Sequence, residues 1–527
     1  MKKIYFVLFS VLLAGTMSCS RKEFRDSYTN PATVATSSIE KQYAGVIYTS
    51  REYVVPSYWH YFVILRITLD RFSQSIGWQN GDNQYVPGGA AVNDRWNNYY
   101  NVLGQYRELQ KIYNGLADDD KTNQRIYMLT STIFFYDLTQ RSVDLHGAIP
   151  WSAAGMLSTN GGDYQKSAAK YDPATEIYTK MLDDLKAFAD ELNTITIPTA
   201  LIARFESMDL INNGSLVLWR KYCNSLRLRM LMRVSGVPAF QARANTEIAQ
   251  ILGNSASYPL VGTNTDNIRI DVYDLNSDLH AKGFRTGLED WNGNIAGKKM
   301  IDHMKANSDP RLRAMFEPGA NAGGVYHGLD PMATRSAQEA AIASGNIAIY
   351  NRSTLSRNEF FPGMLINAAE VSFLLAEYYL KAGNATSART AYEDGIKQSI
   401  DYYYWLRTLS NDATGGALTP TNDTEINAYR TTAAVNWTLA LTNAAKLNLI
   451  ATQKWIHYSV VQPYENWAEI RRLDAPTFSF EVDNSNAQSQ PPMRWQYPAS
   501  EQTYNTANYQ AVQADDKLTT KLFWDVQ

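Results

Sequence analysis

The feature of this sequence that most constrains its fold is a pattern of small and aromatic residues between Leu375 and Gly395. The positions are Leu375, Ala376, Tyr379, Gly383, Ala388, Tyr392 and Gly395, and their spacing is that of a tetratricopeptide repeat. Small residues let two antiparallel helices approach closely, tyrosines fill the gaps between them, and glycine allows the turn. One such pair cannot bury its apolar faces alone, so neighbouring pairs are required. A generic helical hairpin is the alternative interpretation of this segment taken alone.

Helical periodicity also dominates the first half of the chain. Trp219, Cys223, Leu226 and Met230 fall at i, i+4, i+7 and i+11, which makes one continuous apolar stripe. Further helices are expected over residues 96–109, 124–138 and 178–192. We therefore predict a mostly α-helical fold built on about four stacked helix pairs of the tetratricopeptide type. Cys223 is expected to be a small core residue.

Long stretches rich in Asn, Gly, Tyr and Trp separate these helices. They cover residues 76–93, 254–297, 318–363 and 412–423. Loops of this length in a compact protein are usually functional or disordered. The chain holds 34 Tyr and 12 Trp, which is more flat amphipathic surface than its core needs. We therefore expect some of these rings to be exposed for binding.

These loops supply most of the candidate ligand contacts. Sugar rings stack on aromatic faces through their C–H groups, while neighbouring Asn, Asp or Arg side chains hydrogen-bond the hydroxyls. The candidate ligand-binding residues are Trp78, Asn83, Tyr85, Trp96, Trp291 and Tyr326. For each loop ring the alternative is an anchor tucked into the scaffold. Trp96 begins a predicted helix, and a core position is the alternative there.

The N-terminus has the pattern of a secretory signal. Lys2 and Lys3 precede an apolar run that is too short to span a bilayer, which needs ~20 apolar residues. Ser18 before Cys19 is similar to the lipobox of bacterial lipoproteins. We predict a lipoprotein signal peptide over residues 1–18, lipidation of Cys19, and a flexible lipid tether over 19–35. The alternative is an ordinary secreted protein with an incidental cysteine.

Composition and motifs argue against several other functional classes. A net charge of −3 without a basic block argues against nucleic acid as a partner. The six histidines are scattered, and the sequence has no P-loop, nucleophile elbow or dinucleotide fingerprint, so we expect no metal and no cofactor. A glycan-processing enzyme stays an alternative because it also combines aromatic clefts with carboxylates. It needs two carboxyl groups ~5–9 Å apart, which no spacing here establishes.

Several motifs occur together in a characteristic order. They are Trp96-Asn-Asn-Tyr-Tyr100, Asp144-Leu-His-Gly-Ala-Ile-Pro-Trp151, the helix Trp219–Arg233 with Asn-Ser-Leu-Arg-Leu-Arg inside it, Asp309-Pro-Arg-Leu312, and Trp467-Ala-Glu-Ile-Arg-Arg472. Each motif alone is weak, but their ordered co-occurrence is specific. On these residues the chain resembles the SusD/RagB family of nutrient-binding outer-membrane lipoproteins over nearly its whole mature length.

The resemblance implies a SusD-like domain over residues 36–527. Its helical scaffold is expected mainly over 36–250 and 364–410, with loop-rich lobes over 251–363 and 411–527. Arg227, Arg229 and Glu370 are expected to form internal ion pairs or caps rather than a catalytic set.

The family role implied is that of a lid on a SusC-like TonB-dependent transporter, lipid-anchored in the outer membrane and facing the cell exterior. The implied activity is binding of an oligosaccharide without catalysis. Peptide binding, as in RagB-like proteins, is the alternative for the ligand. A helical-repeat adaptor for protein partners is a third class, and it would bind no small soluble ligand.

Overall fold

The computed structural model describes residues 37–527. The predicted signal peptide, Cys19 and the tether over 19–35 lie outside the described residues.

The described chain is mostly α-helical. Its α-helices in chain order are α1 (Ile39–Thr49), α2 (Arg51–Val54), α3 (Leu69–Phe72), α4 (Gly89–Asn114), α5 (Asp118–Asn123), α6 (Arg125–His146), α7 (Tyr164–Ser167), α8 (Ala174–Glu191), α9 (Thr199–Met208), α10 (Leu216–Val234), α11 (Pro238–Gly253), α12 (Phe284–Glu289), α13 (Lys298–Ala306), α14 (Leu312–Met315), α15 (Arg335–Ala343), α16 (Ala368–Lys381), α17 (Ala385–Leu409), α18 (Asp423–Arg430), α19 (Asn443–Tyr458), α20 (Pro463–Leu473), α21 (Ala499–Tyr504) and α22 (Thr506–Tyr509). A π-helix spans His60–Leu65, and short 3₁₀ helices span Asn264–Asp266, Asp290–Asn292, Trp437–Leu439 and Gln513–Asp515.

The strands of the described residues form three antiparallel pairs. They are β1 (Ile149–Pro150) with β2 (Tyr171–Asp172), β3 (Ile268–Ile270) with β6 (Gly363–Ile366), and β4 (Phe316–Glu317) with β5 (Ile349–Tyr350). Such short ribbons cannot form a core of their own. They tie loops to the helical scaffold instead.

The scaffold is built from helix pairs that pack against each other. These pairs are α4 with α6, α10 with α11, α16 with α17, and α19 with α20. The α16–α17 pair contains the predicted repeat pattern, and Gly383 makes the turn between the two helices at φ +76°. A Cβ built on Gly395 would lie only 2.5 Å from Cε1 of Phe373. The prediction of a tetratricopeptide-like helix scaffold is therefore confirmed.

Helix α10 runs through the middle of the scaffold. Ser215 caps it by accepting a hydrogen bond from the backbone N–H of Leu218. Trp219, Cys223, Leu226 and Met230 are fully buried, as their spacing predicts. Burial raises the pKa of the Cys223 thiol to about 12, so this cysteine is an inert core residue at neutral pH.

Buried ion pairs connect α10 to three other helices. Arg229 Nε lies 2.5 Å from Glu370 of α16, and Arg229 Nη1 lies 3.1 Å from Asp137 of α6. Arg233 Nη2 lies 2.5 Å from Glu465 of α20. Each charge has a partner of opposite sign. A charge that loses its hydration on burial needs such a partner inside the protein. The predicted ion-pair role of Arg229 and Glu370 is confirmed.

Arg227 has a different partner from its neighbour Arg229. Its Nη2 lies 2.7 Å from Glu247 of α11, in a further buried ion pair. This contact ties the two members of the α10–α11 pair together. The predicted ion-pair role of Arg227 is therefore also confirmed.

The C-terminal region differs in part from the expected loop-rich lobe over 411–527. Helices α19 and α20 lie within it and pack against the scaffold. Ile450, Trp455, Ile456 and Trp467 are buried on these helices. Their polar neighbours Lys454 and Glu469 are buried as well, in ion pairs, and this weakens the apolar periodicity that would mark a core helix in the sequence.

Candidate ligand-binding site

A cleft of about 890 Å³ opens beside the π-helix. Its walls come from the end of that helix and the turn after it, from residues 77–82, from residues 291–295 and from helix α15. Pockets that bind small ligands usually measure roughly 300–1,000 Å³. The cleft is therefore large enough for a few sugar rings.

Two of the predicted ligand contacts, Trp78 and Trp291, line this cleft. Their segments are far apart in the sequence, and a close backbone contact brings them together. The Gly77 N–H donates to the Ile295 carbonyl at 2.7 Å. A Cβ on Gly77 would lie 2.7 Å from the Ala296 carbonyl oxygen, so only glycine fits this approach.

The two indole rings are held differently. Trp78 is half-buried and packs against the core, whereas Trp291 is 85% exposed. Trp291 and Asn292 both have positive φ, 60° and 58°, in the region that non-glycine residues rarely adopt. Such strain costs on the order of 1–3 kcal/mol per residue and is concentrated at functional sites. The loop thus holds an apolar ring in solvent at the rim of the cleft.

Two arginines lie on the same cleft wall as Trp78. The Arg66 and Arg71 guanidinium carbons lie 5.7 and 5.8 Å from the centroid of the Trp78 ring system. Arg66 also lies 3.8 Å over Phe62 and donates to the Asp290 carbonyl. Burial lowers the pKa of Arg66 to about 10, and it lowers that of Arg71 to the same value. Both groups are still cationic at neutral pH.

Polar side chains complete the cleft. Gln79 donates to Glu339 of α15 at 2.6 Å, and Arg335 lies 3.4 Å from the same carboxylate. Asn80 is buried, and its side-chain amide donates to the Pro331 carbonyl at 2.8 Å. These contacts fix the loop 77–82 against α15 and against the segment that precedes it. Asp82 is exposed at the rim.

The other candidate residues lie outside this cleft. Asn83 is exposed, with φ 59°, and accepts a hydrogen bond from Asn486 at 2.7 Å. Tyr85 is only 3% exposed and donates to the Glu481 carbonyl at 2.6 Å.

Trp96 and Tyr326 also lie elsewhere. Trp96 is 4% exposed and borders a separate groove of about 480 Å³ near the exposed rings of Tyr164 and Tyr504. Tyr326 is half-buried, and its carbonyl accepts from Lys305 at 2.7 Å.

Sequence reasoning missed Arg66 and Arg71 as cleft residues. One signal for Arg66 was available, because it is the only charged residue between Tyr61 and Leu69 in an otherwise largely apolar run. A charge in such a run is buried with a partner or faces a functional surface. Arg71 carries no comparable signal.

The chemistry of the cleft suits a polyhydroxylated ligand. Exposed indole faces bind the C–H faces of sugar rings, and guanidinium and amide groups donate hydrogen bonds to hydroxyls. Within residues 37–527, no group of three or more His, Cys, Asp or Glu side chains is arranged to hold a metal ion. The helices of this described region include none with the length and apolarity needed to cross a bilayer.

Comparison with known proteins gives one family match. A family model for SusD-like proteins, described as "Starch-binding associating with outer membrane", matches residues 70–498. No curated protein matches the chain.

Solved structures of similar fold cover nearly the whole chain. A Bacteroidetes protein described as "AC2a SusD-like" is 19% identical, with a TM-score of 0.72, over 93% of this chain and 100% of its own. A chitin-binding SusD homolog from Flavobacterium johnsoniae is 23% identical, with a TM-score of 0.69, over 92% and 99%. A SusD homolog from Bacteroides uniformis is 21% identical, with a TM-score of 0.67, over 92% and 99%.

Proposed function

This chain belongs to the SusD-like family, and we propose on that basis that it binds an oligosaccharide in the cleft lined by Trp78 and Trp291. The observation that carries the proposal is the convergence of these two rings, one of them 85% exposed, on one cleft with guanidinium and amide donors. The family description names starch, and one solved homolog is described as chitin-binding. Both are glycans, which favours a sugar over a peptide as the ligand.

We further propose that the bound glycan is delivered to a SusC-like TonB-dependent transporter. The sequence supports this role through the signal segment and the lipobox-like Cys19, which would anchor the protein to the outer membrane. The family description also associates these proteins with that membrane. In this proposal the protein faces the cell exterior and hands its ligand to the transporter.

The proposed role is binding without catalysis. The cleft holds two carboxylates, and Glu339 is engaged by Gln79 and Arg335. Asp82 is exposed at the rim of the cleft. Turnover of any oligosaccharide by the purified protein would overturn this part of the proposal.

Calorimetric titration of the full chain in mild detergent tests the glycan proposal. The panel contains plant, host and microbial oligosaccharides together with mixed peptides. Trp78→Ala and Trp291→Ala should each weaken glycan binding by about 1 kcal/mol, roughly fivefold, because each removes an aromatic face. Tyr273→Ala is the control, since Tyr273 is 62% exposed but does not line the cleft.

Each outcome has a defined meaning. Unchanged affinity in both tryptophan variants would place the site elsewhere. A response to peptides alone would keep the binding role and reverse the ligand class. If no oligosaccharide and no peptide of the panel binds, the result would favour the role of a helical-repeat adaptor for protein partners.

A further inference from the structure

Two guanidinium groups in the cleft have no carboxylate partner. Among residues 37–527, no Asp or Glu carboxylate oxygen lies within 4.0 Å of the guanidinium nitrogens of Arg66 or Arg71. Arg66 Nη1 donates a hydrogen bond to the backbone carbonyl of Asp290, and the buried Nε of Arg66 has no hydrogen-bond partner among the described residues. Arg71 Nη2 donates to the Gln79 carbonyl at 3.1 Å and to Gln84. The hydrogen bonds that both side chains donate therefore go to neutral acceptors.

Several buried arginines of the scaffold, but not all of them, are paired with carboxylates. Arg229, Arg233 and Arg311 each lie 2.5–2.6 Å from a carboxylate oxygen. Their charge is compensated inside the protein, as burial of an ion normally requires. Arg66 is also buried, at 2% exposed, but it lines the cleft. No carboxylate contacts it within 4.0 Å in the described residues, although the charge of Asp290 lies near it.

The local environment strengthens an interaction with an incoming anion. Burial lowers the pKa of both Arg66 and Arg71. The charge of Asp290 near Arg66 and that of Asp483 near Arg71 oppose this effect without cancelling it. Phe62 and Trp78 provide apolar surface next to the guanidiniums. Low-dielectric surroundings raise the attraction between opposite charges well above its value in water.

The carboxylates that line the cleft do not contact these two arginines. Arg335 and Glu339 pair with each other on α15, at 3.4 Å. Asp82 is exposed at the rim, where solvent screens its charge. The wall that carries Trp78 therefore presents two guanidinium groups that no carboxylate of the described residues contacts.

We infer that the cleft selects an acidic glycan, whose carboxylate or sulfate group contacts the guanidiniums of Arg66 and Arg71. This inference rests on the proposed glycan-binding function and narrows its ligand class. Planar guanidinium forks match the oxygen pairs of carboxylates and sulfates. A neutral sugar would donate or accept hydrogen bonds here but leave the buried charge uncompensated.

Matched pairs of oligosaccharides test the charge preference on the full chain by calorimetry. Oligogalacturonates are compared with their methyl esters, which keep the sugar backbone and lose the charge. Chondroitin sulfate oligosaccharides are compared with desulfated ones, so that sulfate and carboxylate contributions are separated. Neutral cello- and chito-oligosaccharides complete the set. The acidic members should bind on the order of tenfold tighter, and raising the salt from about 50 to about 500 mM should weaken only their binding.

Arginine variants assign the preference to residues. Arg66→Gln and Arg71→Gln should each reduce the ratio of acidic to neutral affinity, and Arg71→Gln tests the same charge if Arg66→Gln does not fold. Arg389→Gln is the control, because this exposed arginine of α17 does not line the cleft and already has a carboxylate partner in Glu393, at 2.7 Å. Its affinity ratio should stay close to that of the unaltered protein.

The results separate this inference from the proposed function. If neutral glycans bind as tightly as their acidic counterparts, without salt dependence, the proposed function stands and the acidic preference is overturned. If no glycan of either kind binds, both fail together.

Discussion

The close approach of α16 and α17 predicts opposite effects for two glycine substitutions of the same kind. Gly395 lies inside α17, and Gly104 lies inside α4. A Cβ at Gly104 would have no heavy atom within 4 Å. A Cβ at Gly395 would lie 2.5, 2.6 and 3.0 Å from three ring carbons of Phe373, which is fully buried.

The magnitudes follow from helix propensity and packing. Alanine is favoured over glycine inside a helix by roughly 1 kcal/mol, so Gly104→Ala should stabilise the protein by up to that amount. Gly395→Ala has the same intrinsic gain, but overpacking a rigid core costs typically 1–3 kcal/mol. The net effect at Gly395 should be a loss of up to about 2 kcal/mol.

Urea unfolding followed by far-ultraviolet circular dichroism measures both effects as free energies. Combining Gly395→Ala with Phe373→Leu should recover part of the loss, because the smaller side chain leaves room for the new methyl group. The double variant would then be more stable than the sum of the single changes predicts. Stabilisation by Gly395→Ala equal to that by Gly104→Ala would refute the close packing of these helices.

Two further predictions concern the buried charges and the partner. Burial raises the pKa of Glu377 and of Glu469, but the neighbouring charges of Arg472 and Lys454 outweigh it and hold both pKa values below the ordinary 4.5. The two carboxylates contribute their full stabilisation above pH 4.5 and lose it as the pH falls below that value. The free energy of unfolding should therefore drop steeply below pH 4.5, and the drop should be less steep in Glu469→Gln. Gentle solubilisation of native membranes should recover the protein with a TonB-dependent transporter through affinity pull-down, whereas recovery as a lone species would contradict the transport role.

The scaffold was predictable because its information is local. The spacing of Trp219, Cys223, Leu226 and Met230 defines a buried stripe in any regular helix, and the structure buries all four. Gly383 and Gly395 marked the turn and the close approach of one helix pair. The ordered motifs predicted the SusD-like family, which the family model confirms.

The cleft was only partly predictable, because its walls are assembled by long-range contacts. Loop composition pointed to Trp78 and Trp291, and the structure places both in one cleft. The same composition also pointed to Tyr85, whose ring is buried and whose hydroxyl is bonded to a carbonyl. Sequence alone does not distinguish a ring that faces solvent from a ring that anchors its loop.

Helix irregularity hid the role of Arg66. In a regular helix Arg66 and Asp70 would be neighbours at i and i+4 and would form an ion pair. The π-helix His60–Leu65 and the turn at Thr68, with φ −127° and ψ −95°, break that register. Arg66 lines the cleft, whereas Asp70 is fully buried and its pKa is raised by burial.

The ion pairs between α10 and helices α6, α16 and α20 determine how these helices align when the chain folds. Apolar contacts are non-directional, and a helix that slips by one residue can still bury a similar apolar area. A slip of α10 would instead separate Arg229 or Arg233 from its carboxylates and leave an uncompensated charge in the core. These contacts therefore penalise misaligned packing at four helices at once. The surrounding apolar residues are free to diverge while the arrangement of the helices is kept.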